Sequence, residues 1–321
     1  MAQIKKLKLK LKSGLLSELQ SDTIFGHFAW RFKEEHGEEK LLEFLDYFVN
    51  GNPIFTISDG LFHKNDIYYF PKPLKLTTPK FEQKSKSERI KDFIKQKESK
   101  SQKFVTLNQL NLYLNGDLNS FDNSLSSLGT QENPGFLSDL RVSVGIDRKT
   151  FKSMEGKLFT YNPKYLDDKT FINIFVKIID SDKWDKFNCE SILKSVFEIG
   201  FGKKKSSGYG QFEIIGKFEN FNDFSEPEIS NGFISLSHIL PANNDKIMEA
   251  FYNISVKHGK FGEEKSNSKN PFKKPLILLT PGSCFITDEK REFYGRAVDN
   301  ISNSFPDHIH NGIAFTLKAK L

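Results

Sequence analysis

The segment Gly200-Phe201-Gly202-Lys203-Lys204-Lys205-Ser206-Ser207-Gly208-Tyr209-Gly210 constrains this chain more than any other. It follows a run with Cys189, Ile192, Leu193, Val196 and Phe197 at helical spacing, opened by Asn188 as a cap. It precedes a run in which Phe212, Ile214, Gly216 and Phe218 alternate as in a strand. The order helix, loop, strand excludes a dinucleotide fingerprint, which needs strand, loop, helix. A Walker loop is excluded too, since no glycine lies five residues before Gly202 and no Ser or Thr follows Lys203. Four glycines let a backbone approach a ligand, three lysines supply charge, and Ser206 and Ser207 add donors for phosphate oxygens. A polyanion suits this loop; a solvated turn is the other reading of the same residues.

Elsewhere the chain reads as interleaved strands and helices. Leu7, Leu9 and Leu11 alternate with Lys8, Lys10 and Lys12, the period of a half-buried strand. Ser21 then caps an amphipathic helix with an acidic first turn and apolar residues at 24, 25, 28, 29 and 32. A second helix spans roughly Glu38 to Val49 and stops at Asn50-Gly51-Asn52-Pro53. Short strands are expected at 54–57 and 67–70. From about Leu74 to Leu140 the chain turns rich in Lys, Ser, Asn and Gln, which predicts an insertion projecting from the first domain. Strands are predicted again at 141–148, 157–161 and 171–179. Asn220 to Asn231 reads as an acidic linker, followed by strands at 233–240, 276–286 and 313–321, with a basic polar loop at 259–275. This pattern predicts an α+β fold of two ferredoxin-like (RRM-like) units, one over 1–220 and one over 221–321.

Composition supports folded domains: charged residues are 27% and hydrophobic ones 37%, but 32 phenylalanines provide ample core material. The excess of 47 Lys and Arg over 41 Asp and Glu, a net +6, is compatible with a nucleic-acid partner without requiring one. Cys189 and Cys284 lie in apolar contexts without zinc-like spacing, and read as reduced core thiols. No run has signal-peptide or membrane-span character, so a soluble cytoplasmic protein is expected, with no membrane partner.

The form Gly-Phe-Gly-basic-basic-x-Ser-x-Gly-Tyr-Gly between a helix and a strand resembles the glycine-rich loop of the repeat-associated mysterious protein (RAMP) superfamily of CRISPR systems. Within it, Ser21-Asp22-Thr23-Ile24-Phe25-Gly26 is similar to the start of the first helix in the fourth Csm subunit family. Ile146-Asp147-Arg148-Lys149-Thr150, Leu158-Phe159, Tyr294-Gly295 and Asn311 to Phe315 fit the same family in order, while 74–140 shows no match. The resemblance implies a RAMP fold with an inserted thumb at about 74–140 and a non-catalytic, cofactor-free subunit of a type III-A (Csm) complex in antiviral defence. Such a subunit anchors the repeat-derived 5′ handle of the crRNA, between the large cyclase/nuclease subunit and the first backbone RAMP subunit, and meets target RNA only indirectly. The implied RNA contacts are Gly202, Lys203, Lys204, Lys205, Ser206, Ser207, Gly208, Tyr209 and Gly210, with Ser21, Asp147, Arg148 and Lys149. Trp30, Arg31 and Tyr294 are the implied partner contacts. The Ile-Asp-Arg segment can equally be an internal ion pair and turn.

His27 is the one candidate for catalysis. Helical geometry sets Thr23, His27, Trp30, Arg31 and Glu34 opposite Ile24, Phe28 and Phe32. Related guide-processing endoribonucleases use a histidine of this first helix as acid or base, so a metal-independent nuclease is the alternative, and a contact residue for RNA or a subunit the plainer reading. Asp167-Asp168, Asp180-Ser181-Asp182 and Glu263-Glu264 read as solvated charge rather than metal ligands. His308 and His310 share a side if extended, but no third ligand accompanies them, and no metal is expected.

Overall fold

Residues 2–74, 102–127 and 134–321 are described by the computed structural model. The N-terminal strand Gln3–Leu11 buries Leu7 and Leu9 on one side, as the alternation predicts, and pairs antiparallel with Thr170–Ile178 and Phe212–Asn220. The sheet continues through Leu61–Lys64 and Ile67–Pro71 to Phe104–Thr106, and Phe55–Ile57 also pairs with Thr170–Ile178. Strand Thr170–Ile178 is covered on both faces, which is why six of the nine residues of its sequence, TFINIFVKI, are apolar.

One face carries α1 (Ser21–His36), α2 (Glu38–Val49) and the later helix Cys189–Glu198. Their contact is built on phenylalanine: Phe44 lies 4.5 Å from Phe32 and 5.5 Å from Phe28, ring centre to ring centre, and Phe28 meets Phe55 edge-on at 5.3 Å. The other face, through Phe175, packs on a second sheet ordered Ile247–Phe251, Cys284–Thr287, Gly232–Ser235, Thr316–Ala319. Lys177, 4% exposed, is tied there by donating to the Thr316 carbonyl oxygen beneath the Phe315 ring.

Two sequence expectations change. The segment after Asn220 is no solvated linker: Phe221 sits 4.9 Å and Phe224 5.5 Å from Phe175, inside the core shared by both halves. The expected projection at 74–140 lies outside the described residues at 75–101 and 128–133, including the Lys/Ser runs at 84–87 and 97–101. Its described middle is core. Thr106 and Gln109 form a reciprocal cap for Leu107–Leu114, and Val105, Leu110, Tyr113, Leu114 and Phe121 are buried. What stands out into solvent is the hairpin Arg141–Ile146/Ser153–Tyr161, whose Val142, Ile146, Phe151 and Leu158 are all exposed. Among the described residues no helix is long and apolar enough to cross a membrane. Both cysteines are buried thiols outside any disulfide, and burial pushes the Cys189 thiol far above its ordinary value.

Candidate nucleic-acid interface

The glycine loop is pinned at its neck and open at its tip. Gly200 and Gly202 take φ of +105° and +82°, a turn that glycine makes without strain, and between them Phe201 is fully buried against Phe197 and His27. The Phe201 N–H donates to the Gly210 carbonyl (2.8 Å), closing the neck. Segment 13–17 holds it from outside: Gly210 N–H donates to the Gly14 carbonyl (2.9 Å), Gln211 N–H to Ser13 Oγ (3.0 Å) and Lys203 N–H to Ser17 Oγ (2.9 Å). His27 completes the clamp by accepting the Gly202 N–H at Nε2, 3.2 Å away. Within the loop, Lys204 adopts φ +57° and starts a single tight turn over Lys205–Ser207. Lys203, Lys204, Ser206, Ser207 and Gly208 are exposed, Lys205 and Tyr209 half-buried, and Gly210 buried.

The base of the exposed hairpin joins this loop. Lys204 Nζ lies 3.6 Å above the Tyr161 ring, Tyr161 meets Tyr209 edge-on at 5.7 Å, and Ser143 Oγ is 2.9 Å from the Tyr161 hydroxyl. Hydrogen bonds from Ser143 and Tyr209 lower the Tyr161 pKa, while the bond to Tyr161 raises that of Tyr209. At the other end Asp147 Oδ1 accepts N–H groups of Lys149 (2.7 Å) and Thr150 (3.4 Å), so Asp147 shapes the turn and Arg148 and Lys149 are exposed at the tip. From Arg141 at the base to Ile146 near the tip the strand advances five steps, about 17 Å at ~3.3 Å each, which carries Arg148 and Lys149 away from the loop. The structure therefore brings Lys203 to Tyr209 together with Tyr161 and Ser143, which the sequence did not flag, and sets Arg148 and Lys149 apart.

Other expected site residues lie elsewhere. Ser21 is only 6% exposed and is the first residue of α1, not its cap; Gln20 is the cap, and the Ser21 N–H donates to Asp59 Oδ1 at 2.8 Å. Tyr294, expected on a partner surface, is 4% exposed, stacked 3.7 Å from Phe233 with its hydroxyl donated to the Glu289 carbonyl. An aromatic run beside glycine gave no sign that it would close a core. The expected α1 face also divides, with Thr23 accepting a hydrogen bond from Lys257, Arg31 paired to Glu34 and Trp30 lining a pocket against α2. The acidic pairs are structural: Asp167 accepts from Thr170 and pairs with Lys64, and Asp180 caps Ser181–Lys186. The side chains of Glu263 and Glu264 lie outside those described. Among the described residues no three His, Cys, Asp or Glu side chains converge as a metal site.

No family model matches the chain. Over 250 residues it is 25% identical to the CRISPR system Cms protein Csm4 of Streptococcus thermophilus, an alignment spanning 76% of this chain and 73% of that protein. A chain of the Csm1-Csm4 cassette in complex with pppApA superposes with a TM-score of 0.60 at 16% identity, covering 100% of this chain and 99% of the other. This chain resembles Csm4 in sequence and in fold. A chain of the Csm3-Csm4 subcomplex in the type III-A CRISPR-Cas interference complex gives 0.60 as well, at 16% identity over 99% and 100% of the two chains. These two superpositions cover 100% and 99% of this chain, against the 76% spanned by the sequence alignment.

Proposed function

We propose that this chain is a non-catalytic crRNA-binding subunit of a type III-A Csm interference complex, working in the cytoplasm in antiviral defence. In this reading it anchors the repeat-derived 5′ handle and bridges the large cyclase/nuclease subunit to the backbone RAMP subunits. The observation that carries it is the clamped glycine loop, which fixes its backbone at the neck while leaving Lys203, Lys204, Ser206 and Ser207 in solvent beside Tyr161 and Tyr209. Fixed cations with adjacent aromatic rings suit a single strand, whose phosphates need neutralising and whose unstacked bases need platforms. The likeness to Csm4 supports the choice of complex.

The division at about residue 220 into two ferredoxin-like halves belongs to the same proposal. Its support is the order strand 3–11, helix, strand, then strand 170–178, helix, strand 212–220, with 3–11 between 170–178 and 212–220 in the sheet. The thumb is proposed as the exposed hairpin 141–161 that flanks the expected 74–140, because residues 104–121 pack in the core. Against the nuclease alternative, the His27 ring is committed to Gly202 N–H and to Phe201, a positioning role. Native purification followed by mass spectrometry tests the assignment: crRNA and other Csm subunits should accompany the chain. Recovery of the chain alone, with no RNA affinity in isolation, would refute it.

A further inference from the structure

A pocket of about 250 Å³ opens between α1, α2 and the connections 261–273 and 304–311, away from the glycine loop. Phe25, Leu41 and Leu45 give it an apolar wall, Trp30 and Phe305 an aromatic one, and Lys273, His308, His310 and Asp22 also line it. Lys273 is the odd member of this set. Its ammonium lies 5.0 Å over the Phe261 ring, and no carboxylate among the described residues is within ion-pair reach of it. The nearby Asp22 is engaged at Oδ2 by Lys257, which also donates to Gln20 and Thr23, while its Oδ1 is buried without a hydrogen-bond partner. Burial pulls Lys273 down to about 8, against a smaller upward pull from the Asp22 carboxylate.

His308 adds a donor without an acceptor. Burial holds His308 and His310 down to about 4, so both are neutral at pH 7. The Lys265 ammonium donates to His308 Nε2 at 2.7 Å, which leaves the ring proton on Nδ1, and that nitrogen is buried with no hydrogen-bond partner. His310, 5% exposed, turns its Nδ1 to Asp22 Oδ2 at 3.6 Å, which leaves its buried, unpartnered Nε2 as a lone pair. The unmet His308 donor and the Lys273 ammonium, both lining the pocket, call for an acceptor.

We propose that this pocket binds a small aromatic anion, a phosphate or carboxylate on a flat apolar body, with Lys273 and His308 meeting the anionic group and Trp30 and Phe305 flanking the ring. The probe is phenyl phosphate, titrated into the full chain by calorimetry and by tryptophan fluorescence. Trp30 lines the pocket, whereas Trp184, the other tryptophan, is 2% exposed against Phe55. Phenyl phosphate is expected to bind saturably and at least about tenfold more tightly than inorganic phosphate or benzyl alcohol, since neither carries both groups. Lys273→Gln and, independently, His308→Gln should each weaken it by about tenfold, Lys273→Arg should retain most of the affinity, and alanines at Lys203, Lys204 and Lys205 should leave it unchanged. Trp30→Phe should abolish the fluorescence response while calorimetry still reports binding. Absence of saturable binding at millimolar probe overturns the proposal, as does unaltered affinity in both glutamine variants. Displacement of the probe by a single-stranded RNA oligonucleotide overturns it too, by making the pocket part of an RNA path.

Discussion

His27 Nε2 stands 3.2 Å from the Gly202 nitrogen and accepts its proton, so the first helix and the glycine loop are fixed to each other through one imidazole. A ring used in this way holds the loop. Repeat RNA incubated with the purified chain should stay intact with or without Mg²⁺. His27→Ala should weaken RNA binding about fivefold, the worth of one ordinary hydrogen bond of ~1 kcal/mol, while His27→Gln, which keeps an acceptor, should recover part of it. Gel analysis and filter binding check both. Specific cleavage by wild type that vanishes in His27→Ala would restore the nuclease reading.

The loop glycines are not equivalent. A Cβ on Gly210 would lie 1.9 Å from the Phe201 carbonyl oxygen, and Gly210 has φ +65°, so Gly210→Ala must break the neck. Gly208 has φ +84° but nothing within 4 Å of where a Cβ would stand, so a bulky residue there obstructs nothing within the chain. Gly208→Ala should cost only the left-handed backbone strain, ~1–2 kcal/mol. Thermal melts should show Gly210→Ala well below Gly208→Ala, and equal melting temperatures would show that the neck does not constrain the loop.

How far the sequence could be read followed from how local each signal was. The period-two run at Gln3–Leu11, the 3.6-period helices α1 and α2, and the glycine loop between Cys189–Glu198 and Phe212–Asn220 depend on neighbours in the chain, and all were legible. Phe221, Phe224 and Tyr294 were not, because each is buried by strands far away in sequence: Phe221 and Phe224 against Phe175, Tyr294 against Phe233. The polar stretch around Leu110 and Tyr113 misled for the same reason, its few apolar residues all facing one shared core. His27 was legible as a residue of interest, but its role depends on a loop 175 positions later.

The pair His238–Asp59 predicts a dependence on pH. Nδ1 lies 2.6 Å from Asp59 Oδ2, and although burial opposes the charged ring, the Asp59 carboxylate holds its pKa above the ordinary value. A raised folded value means stability that is complete below ~6.5 and lost as pH climbs through the folded pKa. His310 runs the other way, since burial depresses it to about 4 and its contribution is lost as pH falls from ~6.5 toward that value. Melting temperatures should therefore decline on both sides. His238→Gln should flatten the alkaline decline and spare the acid one; an unchanged alkaline decline would show that this pair is not its source.

The lysines provide the last test. Lys203 and Lys204 are exposed and Lys205 half-buried, on a loop whose neck is set by Phe201, Gly210, Ser17 and His27 rather than by the lysines themselves. Replacing all three with Ala should therefore leave the circular dichroism spectrum unchanged, because no lysine side chain here supports either core. Affinity for single-stranded RNA falls with salt at a log–log slope of about −0.7 per phosphate neutralised, so losing three contacts should flatten that slope by up to ~2 units. Lys204 has a second partner in the Tyr161 ring, and a cation held there has less freedom to lose when it meets a phosphate. Tyr161→Ala should accordingly weaken binding while leaving the salt slope nearly as it was, which separates a stacking or positioning loss from a charge loss. Unchanged affinity and slope in the triple-alanine chain would make the loop a solvated turn, and the RNA-binding role would then have to rest on Arg148, Lys149 and the hairpin.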